Sequence, residues 1–155
     1  MIARRPLLAA FLFVLVGAFF AGAAPARAQE LEKLEFVTRS GVHAFSVEVM
    51  RTPDQQAKGL MFRRYMPDDR GMLFAFGRNE IVHMWMKNTY IPLDMLFLRA
   101  DGRIINIIEN VPPETLDSRP SDGPARAALE LPGGTAARLG IRAGDRVVHD
   151  RLAGR

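Results

Sequence analysis

The sequence predicts a mainly β fold, a compact antiparallel β-sandwich or barrel-like structure in a single domain. Residues 34–50, LEFVTRSGVHAFSVEVM, alternate apolar and polar side chains on either side of Ser40-Gly41, which predicts two strands and a turn. Asp101-Gly102 lies between two apolar runs and is the strongest hairpin signal in the chain. Short turns join most apolar runs, so the pattern favours about eight strands with antiparallel pairing over parallel crossovers.

Two short helical segments interrupt this pattern. Thr52 is a good N-cap, Pro53 suits the first helical position and Gln55 completes a capping box, so a helix is predicted over about residues 53–62. Within it, Gly59 either allows close packing or begins the helix end. A shorter helical turn is predicted over about residues 134–139, ended by Gly140.

Residues 77–80 separate the apolar runs MLFAF and IVHMWMK. Their composition predicts a hairpin loop, which makes residues 81–87 a strand. The segment NVPPETLDSRPSDGP, residues 110–124, is rich in Pro and polar residues and is predicted to be a loop without regular structure.

The N-terminal segment has the three parts of a secretory signal peptide. Arg4 and Arg5 precede an apolar run over residues 7–24, and Ala26-Arg27-Ala28 offers a cleavage site. We therefore expect a signal peptide over residues 1–28, one β-rich domain over residues 29–155, and a periplasmic or secreted protein. A retained membrane anchor is the less favoured alternative, because the apolar run is short beside the about 20 residues of a membrane span.

Composition narrows the function classes. Removal of the predicted signal peptide takes away three arginines and no acid, so the formal charge falls from +4 to +1 and no nucleic-acid partner is expected. The chain has no cysteine, which excludes disulfides, thiol nucleophiles and iron–sulfur clusters. Its three histidines are scattered, and no cofactor is predicted.

Four motifs occur in order along the chain: RTPDQQAKGLMFR, GMLFAF, WMKNTYIPLDMLF and GIRAGDRV. Together they resemble the family known as domain of unknown function 192. The resemblance implies a compact, sandwich-like β fold in a single-domain, often exported bacterial protein, and it implies no activity. Gln55 stands where that family usually has Glu, so the capping geometry is kept without the acid.

The cluster His83-Met84-Trp85-Met86 raises the question of a metal. In a strand, Met84 and Met86 share one face, while His83 and Trp85 point to the other. Met thioethers are soft ligands that select Cu(I), so copper binding by Met84 and Met86 is one interpretation. Core packing by flexible methionines is the favoured one.

Asp94 lies in LDMLFLR, a run that is apolar on both faces, so we expect a buried carboxylate that needs partners. The short connection before it would place it beside Lys87, Asn88 and Thr89. In a structural interpretation, Asp94 accepts hydrogen bonds from Asn88 or Thr89. In a functional one, Lys87 and Asn88 hold an anionic or polar ligand over Trp85.

Arg51 and Arg63 bracket the first predicted helix. Arg51 is expected to reach an acid at the rim of the sheet, with Glu48, Asp94 and Asp145 as the candidates. Arg63 is expected to meet helical carbonyls or a ligand anion, so both arginines are candidates to complete the pocket. The favoured function is a small-ligand-binding or accessory module whose partner is an unknown small molecule or an envelope protein. The alternative is an envelope-associated hydrolase with Glu48 and Asp94 as paired carboxylates.

Overall fold

The computed structural model describes residues 30–152. The predicted signal peptide, residues 1–28, lies outside the described residues. Among residues 30–152, no helix has the length and apolar character that crossing a bilayer requires.

The described chain is mainly β, as predicted. Its elements are nine strands, two α-helices and a closing 3-10 turn over Asp150–Leu152: β1 (Leu31–Thr38), β2 (Gly41–Met50), α1 (Pro53–Lys58), β3 (Arg70–Glu80), β4 (His83–Met84), β5 (Leu93–Leu98), β6 (Ile104–Val111), β7 (Arg119–Pro120), β8 (Ala125–Pro132), α2 (Thr135–Leu139) and β9 (Arg146–Val148). Seven strands form one curled, half-barrel sheet in the order β6-β5-β8-β3-β2-β1-β9, and β4 and β7 form a second, small sheet.

Two of the three predicted hairpins are confirmed. Strands β1 and β2 pair antiparallel through the Ser40-Gly41 turn, and β5 and β6 pair antiparallel around Asp101-Gly102. One pair differs from the expectation, because β2 and β3 are parallel. The chain between β2 and β3, which includes α1, runs back to the end of the sheet at which β2 begins. It therefore supplies the crossover connection that parallel pairing requires.

Helix α1 confirms the predicted capping box. The Thr52 side chain accepts from the Gln55 backbone, and the Gln55 side chain accepts from the Thr52 backbone. The helix ends at Lys58, earlier than predicted, because Gly59 takes the C-cap position with φ of 44°. A Cβ atom on Gly59 would lie 3.1 Å from the ring of Phe74, so this glycine also permits close packing.

The predicted hairpin loop at residues 77–80 is wrong. Strand β3 continues through Gly77 to Glu80 with a shift of register against β8, so these residues form an irregular strand end. Its antiparallel partner β8 comes from much later in the chain. Strand β4 covers only His83–Met84 and pairs with β7, which lies inside the segment that was predicted to lack regular structure.

The large sheet is covered on both faces, as the apolar run of β5 predicted. On one face, Leu96 and Leu98 pack in a cluster that includes Ala136 of α2. On the other, Met95 and Phe97 pack in a cluster that includes Leu60, which follows α1. We call these the α2 face and the α1 face.

Candidate functional site

One row of side chains crosses the sheet on its α1 face. The strand register aligns Glu48 of β2 with Met72 of β3, Met72 with Glu130 of β8, and Glu130 with Met95 of β5. Directly paired residues of neighbouring strands point to the same face. Because Met72 and Met95 belong to the α1-face cluster, Glu48 and Glu130 project to that side as well.

Glu130 is a buried acid that has no partner among the described residues. Only 4% of the residue is exposed, and within residues 30–152 its carboxyl group makes no hydrogen bond and no ion pair. Every fully buried side-chain oxygen of the described chain has a partner, so the oxygens of Glu130 keep contact with open space. Burial raises the pKa of Glu130 to about 8, and the carboxyl group is therefore mostly neutral at pH 7.

The open space beside Glu130 is a cavity of about 260 Å³. It lies between α1 with its following loop and residues 80–89. Its apolar lining includes Leu60, Phe74, Phe76 and Val82, and its mouth carries Trp85 together with four groups that are charged or titratable: Lys58, Glu80, His83 and Lys87. An apolar cavity with a few polar groups is the usual form of a small-molecule site.

The loop after β4 fixes the mouth of this cavity. Its Asn88 has φ of 54°, and its carbonyl accepts a bond of 2.7 Å from the backbone N–H of Phe62, which itself has φ of 67°. Left-handed backbone is tolerated by Asn but is unusual for a bulky residue such as Phe. These two loops are therefore held against each other at a cost in backbone strain, which is often found at functional sites.

Trp85 and Lys87 lie together at the mouth. Trp85 is 51% exposed, and the Lys87 Nζ atom lies 5.3 Å from the centre of its ring, which is a cation–π contact. Thr89 is buried, donates from its hydroxyl to the Lys87 carbonyl at 3.3 Å, and also lines the cavity. Three of the predicted pocket residues thus share one cavity, whereas Asn88 supports the loop and donates to the Met61 sulfur at 3.9 Å.

Asp94 lies elsewhere, on the α2 face. It is fully buried and accepts hydrogen bonds from the backbone N–H groups of Asn110 at 2.7 Å, Gly134 at 2.9 Å and Ala136 at 2.7 Å. The expectation of a buried, hydrogen-bonded carboxylate was right, but the predicted partners Asn88 and Thr89 were wrong. Successive strand residues alternate between faces, so Asp94 points away from the side on which Leu93 packs.

The two candidate arginines bind acids instead of lining the Glu130 cavity. Arg63 holds both oxygens of Glu48, at 2.5 and 2.6 Å, and this hydrogen bonding raises the pKa of the guanidinium. Arg51 pairs with an acid at the rim, as expected, but that acid is Glu32 and not one of the three predicted candidates. Glu48 and Asp94 are not brought together, because they project from opposite faces of the sheet with β3 and β8 between their strands. This placement contradicts the paired-carboxylate arrangement.

The two candidate copper ligands have different surroundings. Met86 is fully buried in the α1-face cluster, while Met84 is half-buried and lines the Glu130 cavity. His83 bonds through Nδ1 to the Ser118 hydroxyl at 2.9 Å. Across residues 30–152, no three His, Cys, Asp or Glu side chains are placed to hold a metal ion.

Glu130 is the site residue that the sequence predictions missed. It stands in ARAALELP, a largely buried strand in which it is the one acid and all other residues except Arg126 are apolar. The reasoning that singled out Asp94 applies equally to it, so the pattern itself was sufficient. The cavity beside it was not predictable, because α1, β3, β4 and β8 all contribute to its lining.

The sequence model of the domain of unknown function 192 family, which is described as an uncharacterized ACR, matches residues 35–149 of the chain. The chain belongs to this family. The resemblance seen in the four motifs is thereby confirmed. No curated protein matches the chain.

Two solved structures are similar to this member of the domain of unknown function 192 family. One, from Sinorhizobium meliloti 1021, is described as a candidate transcription regulator; it is 46% identical, with a TM-score of 0.76 over 78% of this chain and 95% of that one. The other is a protein of unknown function from Novosphingobium aromaticivorans DSM 12444. It is 41% identical, with a TM-score of 0.77 over 81% of this chain and 90% of that one.

Proposed function

We propose that the protein binds a small organic ligand in the Glu130 cavity. The observation that supports this most directly is a buried carboxyl group that faces a cavity and has no partner in the part of the chain that the structure describes. Leaving a buried polar group unsatisfied costs about 1–3 kcal/mol. A ligand atom that bonds to Glu130 would recover that free energy, and the aromatic side chain of Trp85 stands at the entrance to contact the rest of the ligand.

The size of the cavity limits the ligand. Drug-sized molecules occupy sites of about 300–1,000 Å³. At about 260 Å³ the Glu130 cavity is smaller. We therefore propose a ligand on the scale of one ring with a short polar substituent.

Two other functions have weaker support. The hydrolase with Glu48 and Asp94 lacks a shared site. The description of the Sinorhizobium protein as a candidate regulator of transcription is not extended to this chain, because three of its arginines pair with acids. An unpaired basic stripe would be the feature expected of a nucleic-acid interface.

We also propose that the protein acts in the periplasm or outside the cell, on the basis of the signal-peptide pattern in residues 1–28. Cell fractionation and the mass of the recovered protein test this. A periplasmic or secreted product that begins at Gln29 is expected. A cytoplasmic protein of full length would contradict it.

The ligand proposal is tested by a fragment screen that follows the fluorescence of Trp85, the one tryptophan of the chain. Ala57 is exposed on α1 and lines the cavity, so Ala57→Phe would place a ring across the mouth without disturbing the core. Fragments that change the fluorescence of the wild type and of an Ala57→Ser control, but not of Ala57→Phe, would support the proposal. Equal responses from all three proteins, or none, would contradict it.

A further inference from the structure

The Glu130 carboxyl group lacks a counter-charge. Burial is the one cause of its raised pKa, and no cation of the described chain offsets that burial. On the sheet it is flanked by Met72 and Met95, which do not titrate. An ionised Glu130 would therefore be an isolated charge in an apolar site, which is costly until a cation is supplied from outside.

The charged groups around the cavity do not fill this role. They are Lys58 from α1, Glu80 from β3, His83 from β4 and Lys87 from the loop after β4. Both lysines are exposed, and within residues 30–152 neither forms an ion pair with Glu130. The Lys87 ammonium lies over the Trp85 ring, and Glu80 pairs with Arg78. These four groups thus lie at exposed or half-exposed positions, and among the described residues of the lining Glu130 is the one buried acid.

Aromatic rings supply the second part of a cation site. Phe74 and Phe76 line the same cavity as Glu130, and Trp85 stands at its mouth. The face of an aromatic ring attracts ammonium groups, and the contact between Trp85 and Lys87 shows that one of these rings is already used in that way. A carboxyl group combined with aromatic side chains in one apolar cavity matches the chemistry of an organic ammonium ion.

We infer, on the basis of the proposed ligand-binding function, that the ligand is an organic amine bound in its ammonium form against Glu130. The ammonium donates to the Glu130 carboxylate, and the apolar part of the amine lies along Phe74, Phe76 and Trp85. On binding, Glu130 releases its proton to solvent while the amine keeps its own. An ion pair then replaces the neutral acid.

The alternatives are disfavoured by charge. A ligand carboxylate or phosphate at Glu130 would bring two acids together in an apolar cavity, which raises the cost of burial. A neutral ligand could accept a hydrogen bond from the protonated acid, which needs no counter-charge, but it would not supply the cation that the faces of the aromatic rings attract. It would also bind with the opposite pH dependence.

The direction in which affinity changes with pH distinguishes an amine ligand from a neutral hydrogen-bond acceptor. Because free Glu130 must lose a proton before it pairs with an ammonium, the affinity for an amine rises up to tenfold per pH unit below about 8 and then levels off. The affinity for a neutral acceptor is constant below about 8 and falls above it. Groups other than Glu130 are present in both proteins, so the comparison with Glu130→Gln isolates the contribution of Glu130.

The experiment uses three matched probes with the same phenyl-ethyl body: phenethylamine, phenethyl alcohol and hydrocinnamate. Titration calorimetry in two buffers of different ionisation enthalpy gives both the dissociation constant and the number of protons released. We expect phenethylamine to bind at least about tenfold more tightly than the other two, with release of about one proton at pH 7. Glu130→Gln is expected to lose both the preference and the proton release.

Tighter or equal binding of the alcohol or the acid, with Trp85 still reporting on it, would overturn the amine assignment and leave the ligand-binding proposal standing. Absence of binding by all three probes would overturn the amine assignment too. If Ala57→Phe then also failed to change the response to any fragment, the proposed function would fall with it. Glu130→Met, which resembles the flanking Met72 and Met95, provides a second variant should the glutamine fold poorly.

Discussion

Asp94 on β5 and Glu130 on β8 are two buried acids on neighbouring strands, and they differ in their hydrogen-bond partners. They are almost in register, since Asp94 pairs with Leu131 and Glu130 with Met95. Asp94 points to the α2 face and accepts three backbone hydrogen bonds. Glu130 points to the α1 face and has none within the described residues. A buried acid is therefore informative about function only when its partners are known.

The two faces differ in how tightly they are packed around these acids. On the α2 face, a Cβ atom at Gly133 would lie 2.8 Å from the Asn110 side chain, so the backbone closes directly over Asp94. On the α1 face, α1 and the loop after β4 cover the sheet but leave the cavity beside Glu130. One face is closed around its carboxylate, and the other is open to a ligand.

The largest effect is expected on the closed face. Asp94→Ala removes three hydrogen bonds to a charged acceptor and should lower the free energy of unfolding by about 5 kcal/mol. Asp94→Asn keeps one oxygen acceptor and should lose roughly half as much. Urea unfolding measures both. A loss of less than about 1 kcal/mol in Asp94→Ala would show that the closed face does not depend on its acid.

The second-largest expected effect is a dependence of the free energy of unfolding on pH, which arises from Glu130 on the α1 face. Burial raises the pKa of Glu130 from 4.5 to about 8, so the folded state keeps a proton that the unfolded state releases between these values. The stabilising effect of that proton is complete below about pH 4.5 and is lost as the pH rises through about 8. Relative to Glu130→Gln, the wild type should lose about 1.4 kcal/mol per pH unit across this window.

Parallel unfolding curves of the two proteins at several pH values check this difference. Other titrating groups cancel in the comparison, because both proteins contain them. If the difference in free energy of unfolding between wild type and Glu130→Gln stayed constant from pH 5 to 8, Glu130 would have an ordinary pKa and a partner.

A third prediction concerns Glu48, the other acid on the α1 face. Because Arg63 holds both of its oxygens, Arg63→Ala should destabilise the fold by about 1–2 kcal/mol, with Arg63→Lys intermediate. Phenethylamine affinity should change by less than about twofold, since Arg63 does not line the Glu130 cavity. Thermal unfolding and calorimetry separate these two outcomes. A large loss of phenethylamine affinity in Arg63→Ala would indicate that the binding site includes Glu48.

The smallest effect on stability is expected at the mouth. Lys87→Ala removes an exposed cation–π contact and should change the free energy of unfolding by less than about 0.5 kcal/mol. Because it also removes a positive charge beside the cavity, the affinity for phenethylamine should rise a few-fold. Lys87→Arg is the matched control and should resemble the wild type. Weaker binding in Lys87→Ala would indicate a direct contact between the lysine and the ligand.

The parts of the fold that could be predicted from the sequence are local. The capping box of Thr52 and Gln55 spans four residues, and the two confirmed turns lie within single hairpins. The parallel pairing of β2 and β3 and the pairing of β3 with β8 were missed, because they join segments whose order along the chain does not determine their order in the sheet.

The same limit applies to the site. The burial of Asp94 followed from its apolar neighbours, but its three donors lie 16, 40 and 42 residues away along the chain. Trp85, Lys87 and Thr89 were correctly grouped because they are close in sequence. Glu130 could have been noticed as a lone acid in an apolar strand, whereas its lack of a partner is a property of the folded structure alone.

The central claim is that Glu130 is a buried acid that pairs with no group among residues 30–152 and is open to a ligand cation. A carbon-13 NMR titration of the Glu130 side-chain carboxyl, with and without saturating phenethylamine, tests it most directly. We predict a midpoint near pH 8 in the free protein and a clear fall when the amine is bound. A midpoint close to the ordinary 4.5 of glutamate, unchanged by the amine, would contradict the account.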